Sequence, residues 1–237
     1  MLKATNISFR YSADGPDIIR NLNLEMGAGA IHGILGPNGS GKTTFLNLLS
    51  GELVADEGTL EINGEDLERD HIAWLPTHPF FYPLITGREY LALFELKNAG
   101  FDVEGWNQVF ELPLDMLVDE YSSGMKKKLA LMGVLSYDRP VLMLDEPFNN
   151  LDLDTNRIVA DLLRKLAEKG TLVLITSHIL EILTETAAYI HTLEEGRISQ
   201  TVPHADFDNW KRNYRTQAVD RAIRQVDDLL EKRASKQ

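Results

Sequence analysis

A glycine-rich stretch with one lysine and two threonines is the part of this sequence best suited to bind phosphate. It runs from Gly36 to Thr44 (GPNGSGKTT) and fits the pattern of Gly, four residues, Gly-Lys, and then Ser or Thr. Glycines let backbone N–H groups approach phosphate oxygens, Lys42 can reach the terminal phosphates, and the Thr43 hydroxyl can bind Mg²⁺. The stretch therefore predicts nucleotide binding by Gly36, Pro37, Asn38, Gly39, Ser40, Gly41, Lys42, Thr43 and Thr44.

Three more chemically useful side chains follow short apolar runs. Asp145 and Glu146 follow one run, and His178 follows the next one along the chain. Ligands of open α/β sheets bind where the carboxyl ends of parallel strands meet, so we expect these groups along one edge. There Asp145 would bind the same Mg²⁺ as Thr43, and Glu146 would take the proton from an attacking water. His178 would contact the γ-phosphate or hold the water and the loop geometry. Together the residues predict nucleotide hydrolysis.

The elements that must position these residues follow from hydrophobic periodicity. Apolar runs predict parallel strands at 31–35, 141–144 and 171–176, and alternating or short patterns predict strands at 2–9, 18–26, 58–62 and 72–75. Helices are predicted after the glycine loop, at 125–135 and at 155–168, and a hairpin at 188–193 and 197–201. A strand, a glycine loop and a helix is the context that phosphate binding requires.

Residues 86 to about 138 are predicted to form a helical insertion, since no clear strand pattern interrupts them. Thr86 and Glu89 have the spacing of a capping box at its first helix. We place the main domain at 1–202, with this insertion inside it, and an amphipathic helical tail at 203–237. The tail is expected to have one apolar side, formed by Phe207, Trp210, Tyr214, Ala218, Ala222, Val226 and Leu229.

Composition narrows the function classes. The 237 residues include no cysteine, which excludes disulfides, thiolate metal sites and cysteine nucleophiles. The formal net charge of −12 argues against a general nucleic-acid binder, so no nucleic-acid partner is expected. Since no apolar run reaches the length of a membrane span and no signal peptide is evident, we expect a soluble cytoplasmic chain.

Several motifs together resemble the ATPase domain of ATP-binding cassette (ABC) proteins. They are GPNGSGKTT at 36–44, YSSGM at 121–125 followed by Lys126, LDEP at 144–147, NNLD at 149–152 and TSH at 176–178. We call residues 121–125 the signature segment. The resemblance covers residues 2 to about 200, with the motifs in the family's order and spacing.

The resemblance implies an α/β fold with a P-loop NTPase, RecA-like core, an N-terminal antiparallel β layer and an inserted helical subdomain. It implies ATP and Mg²⁺ as cofactors, and it places Tyr11 where the family stacks an aromatic ring on adenine. It also implies a head-to-tail dimer, expected here to be a homodimer, that encloses two ATP molecules. Ser122 and Gly124 would then cover ATP bound by the other copy, beside a surface-exposed lysine triplet at 126–128.

Two positions depart from the family's pattern. Ser123 stands where the family has Gly, which would alter the backbone approach to the γ-phosphate. Thr77 stands where the family usually has a Gln that contacts Mg²⁺ and the water, so its role as a metal ligand is doubtful. Its shorter side chain is expected to reach the metal only through another water, and His78 is a weak substitute.

The leading function is the ATPase subunit of a membrane transporter, at the cytoplasmic face of the membrane and with its transmembrane permease on a separate chain. The signature segment with Lys126, residues 82–90 and residues 148–150 look most like export-type cassettes. Phe80, Phe81 and Tyr82 would lie near the partner's docking groove or pack locally. The alternative is a soluble cassette ATPase in cofactor assembly or in work linked to nucleic acid or ribosomes. A GTPase or small-molecule kinase is disfavoured because no guanine-reading motif is present.

Overall fold

A computed structural model of the chain describes residues 1–96 and 98–214. Its strands are β1 (Leu2–Phe9), β2 (Ile19–Met26), β3 (Ile31–Leu35), β4 (Glu57–Ile62), β5 (Glu65–Asp66), β6 (Ile72–Leu75), β7 (Val141–Leu144), β8 (Leu172–Ser177), β9 (Tyr189–Glu194) and β10 (Arg197–Pro203). Its helices are α1 (Lys42–Leu49), α2 (Gly87–Glu95), α3 (Val103–Phe110), α4 (Ser123–Leu135), α5 (Leu153–Glu168) and α6 (Leu180–Thr186), and residues 207–214 are also helical.

Two sheets form the frame of the domain. One is antiparallel, in the order β2-β1-β4-β5, and the other has the order β10-β9-β3-β8-β7-β6. In the second sheet all neighbouring strands are parallel except for the antiparallel edge pair β9 and β10. Strands β3, β7 and β8 are buried at every position, as expected for parallel strands covered on both faces. The predicted α/β class and antiparallel layer are confirmed.

Alternate residues of the parallel strands pack into two hydrophobic cores. On one face, Ile34 packs with α1 and the antiparallel sheet, and Phe45 of α1 is fully buried there. On the other face, Leu35 and Ile175 pack with α5, α6 and the helical insertion. Because α1 lies between the two sheets, its first residue, Lys42, is held firmly at the end of β3.

The insertion is helical, as the sequence predicts. Helices α2, α3 and α4 lie within residues 86–138, and Thr86 caps α2. The Thr86 side chain accepts the Glu89 N–H at 3.2 Å while Glu89 Oε2 accepts the Thr86 N–H at 2.8 Å, which confirms the capping box. The capping box stabilises the start of α2, the first helix of the insertion, at the end of the loop that follows β6.

Several helix bounds differ from the sequence-based expectation. Helix α4 begins at Ser123 rather than Met125, because the Ser122 side chain accepts the Met125 N–H at 3.2 Å and acts as the cap. Gly124 therefore lies in the first turn rather than before it. Helix α5 begins at Leu153 rather than at Thr155, since Asp152 is its cap. The short helix α6 was not predicted, because seven residues give too little periodicity.

The beginning of the predicted tail packs onto the domain. Phe207 and Trp210 are buried, and the Trp210 indole N–H donates to Gln200 Oε1 at 3.0 Å. The predicted apolar positions Ala218, Ala222, Val226 and Leu229 lie outside the described residues. The first turns of the tail, at 207–214, thus pack against the edge of the second sheet that β9 and β10 form.

Two buried histidines form a hydrogen-bonded pair between β3 and β9. His32 Nε2 lies 3.0 Å from the Gly27 carbonyl oxygen, so it must bear the hydrogen, and His32 Nδ1 accepts from His191 Nε2 at 3.0 Å. His191 Nδ1 then accepts the Thr201 hydroxyl at 2.9 Å. Burial lowers the pKa of both rings, and that of His191 falls to about 3, with the neighbouring His32 as a second cause. Both rings are neutral in the folded protein.

Because these two histidines are buried in their neutral form, the free energy of unfolding should decrease at acidic pH. A histidine in the unfolded chain has a pKa of about 6.5, so below that pH the unfolded state binds a proton that folded His191 excludes. The contribution of His191 is complete above pH 6.5 and decreases as the pH falls toward 3, by about 2 kcal/mol at pH 5.

Urea unfolding of the wild type and of His191→Gln at pH 7 and pH 5 measures this effect. The stability difference between the two pH values should be about 2 kcal/mol smaller in the variant. His204→Gln, at an exposed histidine, provides the control and should retain the wild-type difference. Equal pH dependence in all three proteins would contradict the assignment.

Candidate active site

The glycine loop joins the end of β3 to the start of α1. A Cβ atom at Gly36 would lie 2.5 Å from the Leu193 carbonyl oxygen, so the chain passes too close to β9 for any side chain. Gly41 has φ 103°, a conformation that favours glycine, and it directs the chain into α1. The loop therefore leads directly into the start of α1, where unpaired helix N–H groups and the helix dipole favour an anion.

Lys42 lies inside the curve of this loop. Its Nζ donates to the carbonyl oxygens of Gly36 at 2.8 Å and Pro37 at 3.1 Å, and the residue is buried. Burial lowers the pKa of Lys42, and the carboxylates of Glu146 and Asp145 act in the opposite direction. These contacts hold an ammonium group at the place where phosphate oxygens would meet the loop.

Three threonine hydroxyls surround Asp145 at the end of β7. Thr43 Oγ1 donates to Asp145 Oδ2 at 2.7 Å, and Thr77 Oγ1 donates to the same oxygen at 2.5 Å. Thr176 Oγ1 donates to the other oxygen, Oδ1. The buried carboxylate is thus satisfied by hydrogen bonds. Thr77, whose role was doubtful from the sequence, contacts the same oxygen as Thr43.

Glu146 and His178 form the outer edge of the site. His178 Nδ1 lies 2.9 Å from Glu146 Oε1, so the histidine contacts the predicted base directly. Glu146 has φ 49°, an uncommon conformation for a residue with a side chain, and its N–H donates to Thr176 Oγ1 at 2.9 Å. The side chain of His178 is 44% exposed against 11% for Glu146, so the histidine is the more accessible group.

These residues line one cavity of about 540 Å³, a size suitable for a small-molecule ligand. Its lining includes Tyr11, Ile18, Asn38, Gly39, Gly41, Lys42, Thr43, Thr44, Thr77, Asp145, Glu146, Asn149 and His178. Tyr11 stands at the rim, 64% exposed, with its hydroxyl 3.1 Å from Thr44 Oγ1. Gly36, Pro37 and Ser40 belong to the same loop without lining the cavity, and the Ser40 hydroxyl is buried with no partner among the described residues.

The signature segment lies elsewhere. Ser122 is exposed at the cap of α4, and neither it nor Gly124 lines the cavity that contains Lys42. A Cβ atom at Gly124 would lie 2.7 Å from the Asn150 carbonyl oxygen, so the start of α4 rests closely on the chain that follows the acid pair. Ser122 and Gly124 are thus not among the residues that line the cavity, and their contact with the nucleotide of a second copy stays a prediction.

Lys127 was missed by sequence reasoning, which predicted a surface triplet at 126–128. It is buried, and its Nζ donates to the Asp145 carbonyl oxygen at 3.2 Å. Burial lowers the pKa of Lys127 to about 8, against the attraction of the Asp145 and Glu146 carboxylates. Its spacing from buried Leu131 and Val134 on the same face of α4 is the signal that could have revealed it.

Comparison with known proteins identifies the family of this chain. A family model described as ABC transporter matches residues 19–149. The chain is 34% identical over 210 residues to the ABC transporter ATP-binding protein YtrB of Bacillus subtilis, covering 85% of this chain and 71% of that protein. It is 33% identical over 204 residues to the Nod factor export ATP-binding protein I of Burkholderia lata, covering 79% of this chain and 67% of that protein.

A solved structure shares the fold. It is a dimeric ATP-binding cassette in a post-hydrolysis state bound to ADP and Pi, with a TM-score of 0.76 and 23% sequence identity. The match covers 86% of this chain and 99% of that one. Family match, relatives and cavity agree: the chain belongs to the ABC transporter family, and it is one of that family's ATP-binding cassette ATPases.

Proposed function

We propose that this ATPase powers a membrane exporter from the cytoplasmic face of the membrane, with its transmembrane subunit on a separate chain. The relative named for Nod factor export supports the direction of transport. The observation that carries the proposal is an exposed aromatic surface, formed by Phe80 and Tyr82, beside a groove. In residues 1–96 and 98–214, no helix has both the length and the apolar character required to cross a bilayer.

The oxygen atoms around Asp145 suit Mg²⁺. Thr43, Thr77 and Asp145 present hydroxyl and carboxylate oxygens at one point, and hard oxygen donors are what Mg²⁺ prefers. We propose that Thr43 and Asp145 hold the ion and that Thr77 replaces the usual glutamine there. When bound, Mg²⁺ would neutralise charge on the phosphates of ATP.

The residues of the cavity support hydrolysis by in-line attack of water. We propose that Lys42 and the N–H groups of the loop hold the terminal phosphates, while Glu146 accepts a proton from the water. The water oxygen forms a bond to the γ-phosphorus as the bond to the β-phosphate oxygen breaks, which leaves ADP and phosphate. His178, 2.9 Å from Glu146, keeps the carboxylate directed at the water.

A second copy of the chain would complete the nucleotide site. Ser122 and Gly124 lie outside the cavity, yet the exposed N-terminus of α4 offers N–H groups and a positive dipole end to an anion. We propose that two copies pair head to tail, so that each signature segment covers ATP held by the other copy. The similar cassette structure described as dimeric supports this arrangement.

The surface next to β6 is suited to receive the transmembrane subunit. Phe80 is 71% exposed and Tyr82 54% exposed, beside a cavity of about 440 Å³ that Trp74 and Tyr90 help to line. Phe81, which the sequence placed with the exposed aromatics, instead packs against Tyr90 with ring centroids 4.9 Å apart. We propose that a helix of the transmembrane subunit binds this groove between Phe80 and the helical insertion.

Replacing both exposed aromatics, by Phe80→Ser and Tyr82→Ser together, should weaken binding of the transmembrane subunit at least about tenfold. The reason is that buried aromatic side chains dominate interface free energy, and about 1.4 kcal/mol corresponds to a factor of ten. Basal ATPase activity should stay unchanged, since neither residue lines the nucleotide cavity. Copurification from membranes and ATPase stimulation by the co-expressed subunit measure the effect.

The matched control is Ile158→Ser, which removes an apolar side chain that is 41% exposed on α5, a helix that contributes no residue to the groove. It should copurify as well as the wild type does. Undiminished copurification of the double variant would contradict the docking surface. If the wild type bound no membrane subunit and instead a soluble partner, the exporter proposal itself would fall.

A further inference from the structure

The peptide unit that joins Asp145 to Glu146 is held at both of its polar ends. Its carbonyl oxygen accepts the Lys127 ammonium at 3.2 Å, and its N–H donates to Thr176 Oγ1 at 2.9 Å. Both partner residues are buried, and they come from α4 and β8 on different sides of the unit. The plane of this peptide is therefore fixed by two side chains rather than by a sheet ladder.

The orientation of that plane decides where Glu146 points. Glu146 has φ 49°, a left-handed conformation that is unfavourable for a residue with a Cβ atom. Such a conformation persists when surrounding contacts define it. With the peptide held in this way, the Glu146 carboxylate lies 2.9 Å from His178 Nδ1 and faces the cavity.

Lys127 also connects this peptide to the signature segment. It belongs to α4, whose cap is Ser122 and whose first turn contains Gly124. In addition, the start of α4 lies close to the chain that follows Glu146 at two points. A Cβ atom at Gly124 would lie 2.7 Å from the Asn150 carbonyl oxygen, and Lys128 Nζ is 4.0 Å from Asp152 Oδ2. The start of α4 and residues 145–152 thus form one packed unit.

A buried ammonium at this place needs a reason, because burying a charge is costly unless it is paired. A neutral apolar side chain on the inward face of α4 would fill the same space without that cost. The negative Asp145 and Glu146 stabilise the charge of Lys127, and the Asp145 carbonyl oxygen accepts its hydrogen bond. The chain places a charged donor where its hydrogen bond acts on the backbone beside the proposed base.

We propose that Lys127 is a positioning residue for hydrolysis: by holding the Asp145 carbonyl from the signature helix α4, it directs Glu146 at the attacking water. The inference rests on the proposed function, in which Glu146 is the base and Ser122 and Gly124 cover the nucleotide of a second copy. When the signature segment of one copy binds the ATP of the second copy, α4 and Lys127 thereby transmit this contact to Glu146, which acts on the ATP of its own copy.

The test compares Lys127→Met, which keeps the length and removes the charge, with Lys127→Arg, which keeps the charge. Turnover of the full-length protein at saturating Mg·ATP should fall roughly 10- to 100-fold in Lys127→Met, because misplacing a catalytic group by about 1 Å can cost on the order of a hundredfold. KM for ATP should change less than about twofold, since Lys127 does not line the cavity. Lys127→Arg should restore turnover to within about threefold of the wild type.

Lys165→Met is the control, because it removes the same charge from an exposed position of another helix, α5, and should leave turnover and KM unchanged. Circular dichroism and thermal unfolding confirm that each variant is folded. If Lys127→Met does not fold, Lys127→Gln, whose head group stops short of the carbonyl, is measured in its place.

A hydrolytically inactive wild type would remove the proposed function and this inference together. An active wild type with equal turnover in Lys127→Met would remove only the inference. The inference would also fall if Lys127→Met raised KM at unchanged turnover, if Lys165→Met had the same effect, or if Lys127→Arg were as slow as Lys127→Met.

Discussion

Glu146→Gln should lower ATP turnover by about 10²- to 10⁴-fold, the usual contribution of a general base. The glutamine amide has the same shape as the carboxylate that it replaces. In the wild type His178 Nδ1 lies 2.9 Å from Glu146 Oε1, and the amide oxygen of the variant can accept the same hydrogen bond. It cannot take the proton of the attacking water. ATP binding should persist or tighten, because one negative charge near the phosphates is removed.

Two measurements separate chemistry from binding in this variant. Release of phosphate at saturating Mg·ATP gives the turnover, and light scattering with ATP should show accumulation of a dimer that cannot proceed to ADP. Glu168→Gln, at the exposed end of α5, is the control and should behave as the wild type does. Normal turnover in Glu146→Gln would refute Glu146 as the base.

Lys42→Ala should weaken ATP binding by about 10- to 150-fold. A hydrogen bond to a charged group contributes about 1.5–3 kcal/mol, and about 1.4 kcal/mol corresponds to a factor of ten. The Lys42 ammonium is already fixed by the carbonyl oxygens of Gly36 and Pro37, so phosphate meets it with little loss of side-chain freedom. Removing it leaves phosphate charge unmatched beside Asp145 and Glu146.

Equilibrium titration with a fluorescent ATP analogue measures this affinity without dependence on hydrolysis. Lys165→Ala, which removes an exposed lysine from α5, should bind with wild-type affinity. Thermal unfolding checks the fold, since Lys42 is buried. If Lys42→Ala bound the analogue as tightly as the wild type does, Lys42 would not be the residue that binds the phosphates.

Much of the site could be predicted because its residues directly follow strands whose apolar runs are visible in the sequence. The glycine loop needs only the end of β3 and the start of α1, which local patterns define. Asp145 and His178 come directly after β7 and β8, and parallel strands bring their carboxyl ends to one edge. Local pattern plus this one rule of topology was enough to place them in one cavity.

Other features depend on which side chains meet across the fold. Helical spacing can place Lys127 on the buried face of α4, but it does not indicate that Lys127 donates to the Asp145 carbonyl while Lys128 lies near Asp152. That choice follows from the rotation of α4 against β6 and the acid loop. In the same way, nothing in the sequence near Thr77 indicates that its hydroxyl meets the same carboxylate oxygen as Thr43.

The sequence by itself determined the phosphate loop, the acid pair and most of the strands and helices, since each of these is encoded by neighbouring residues and their periodicity. Only the tertiary structure decided how the peptide between Asp145 and Glu146 is held, and that His32 and His191 share one buried hydrogen-bond chain. The physical reason is that burial and hydrogen-bond partners are properties of packed surfaces. Residues far apart in the chain create those surfaces together, and no local pattern records them.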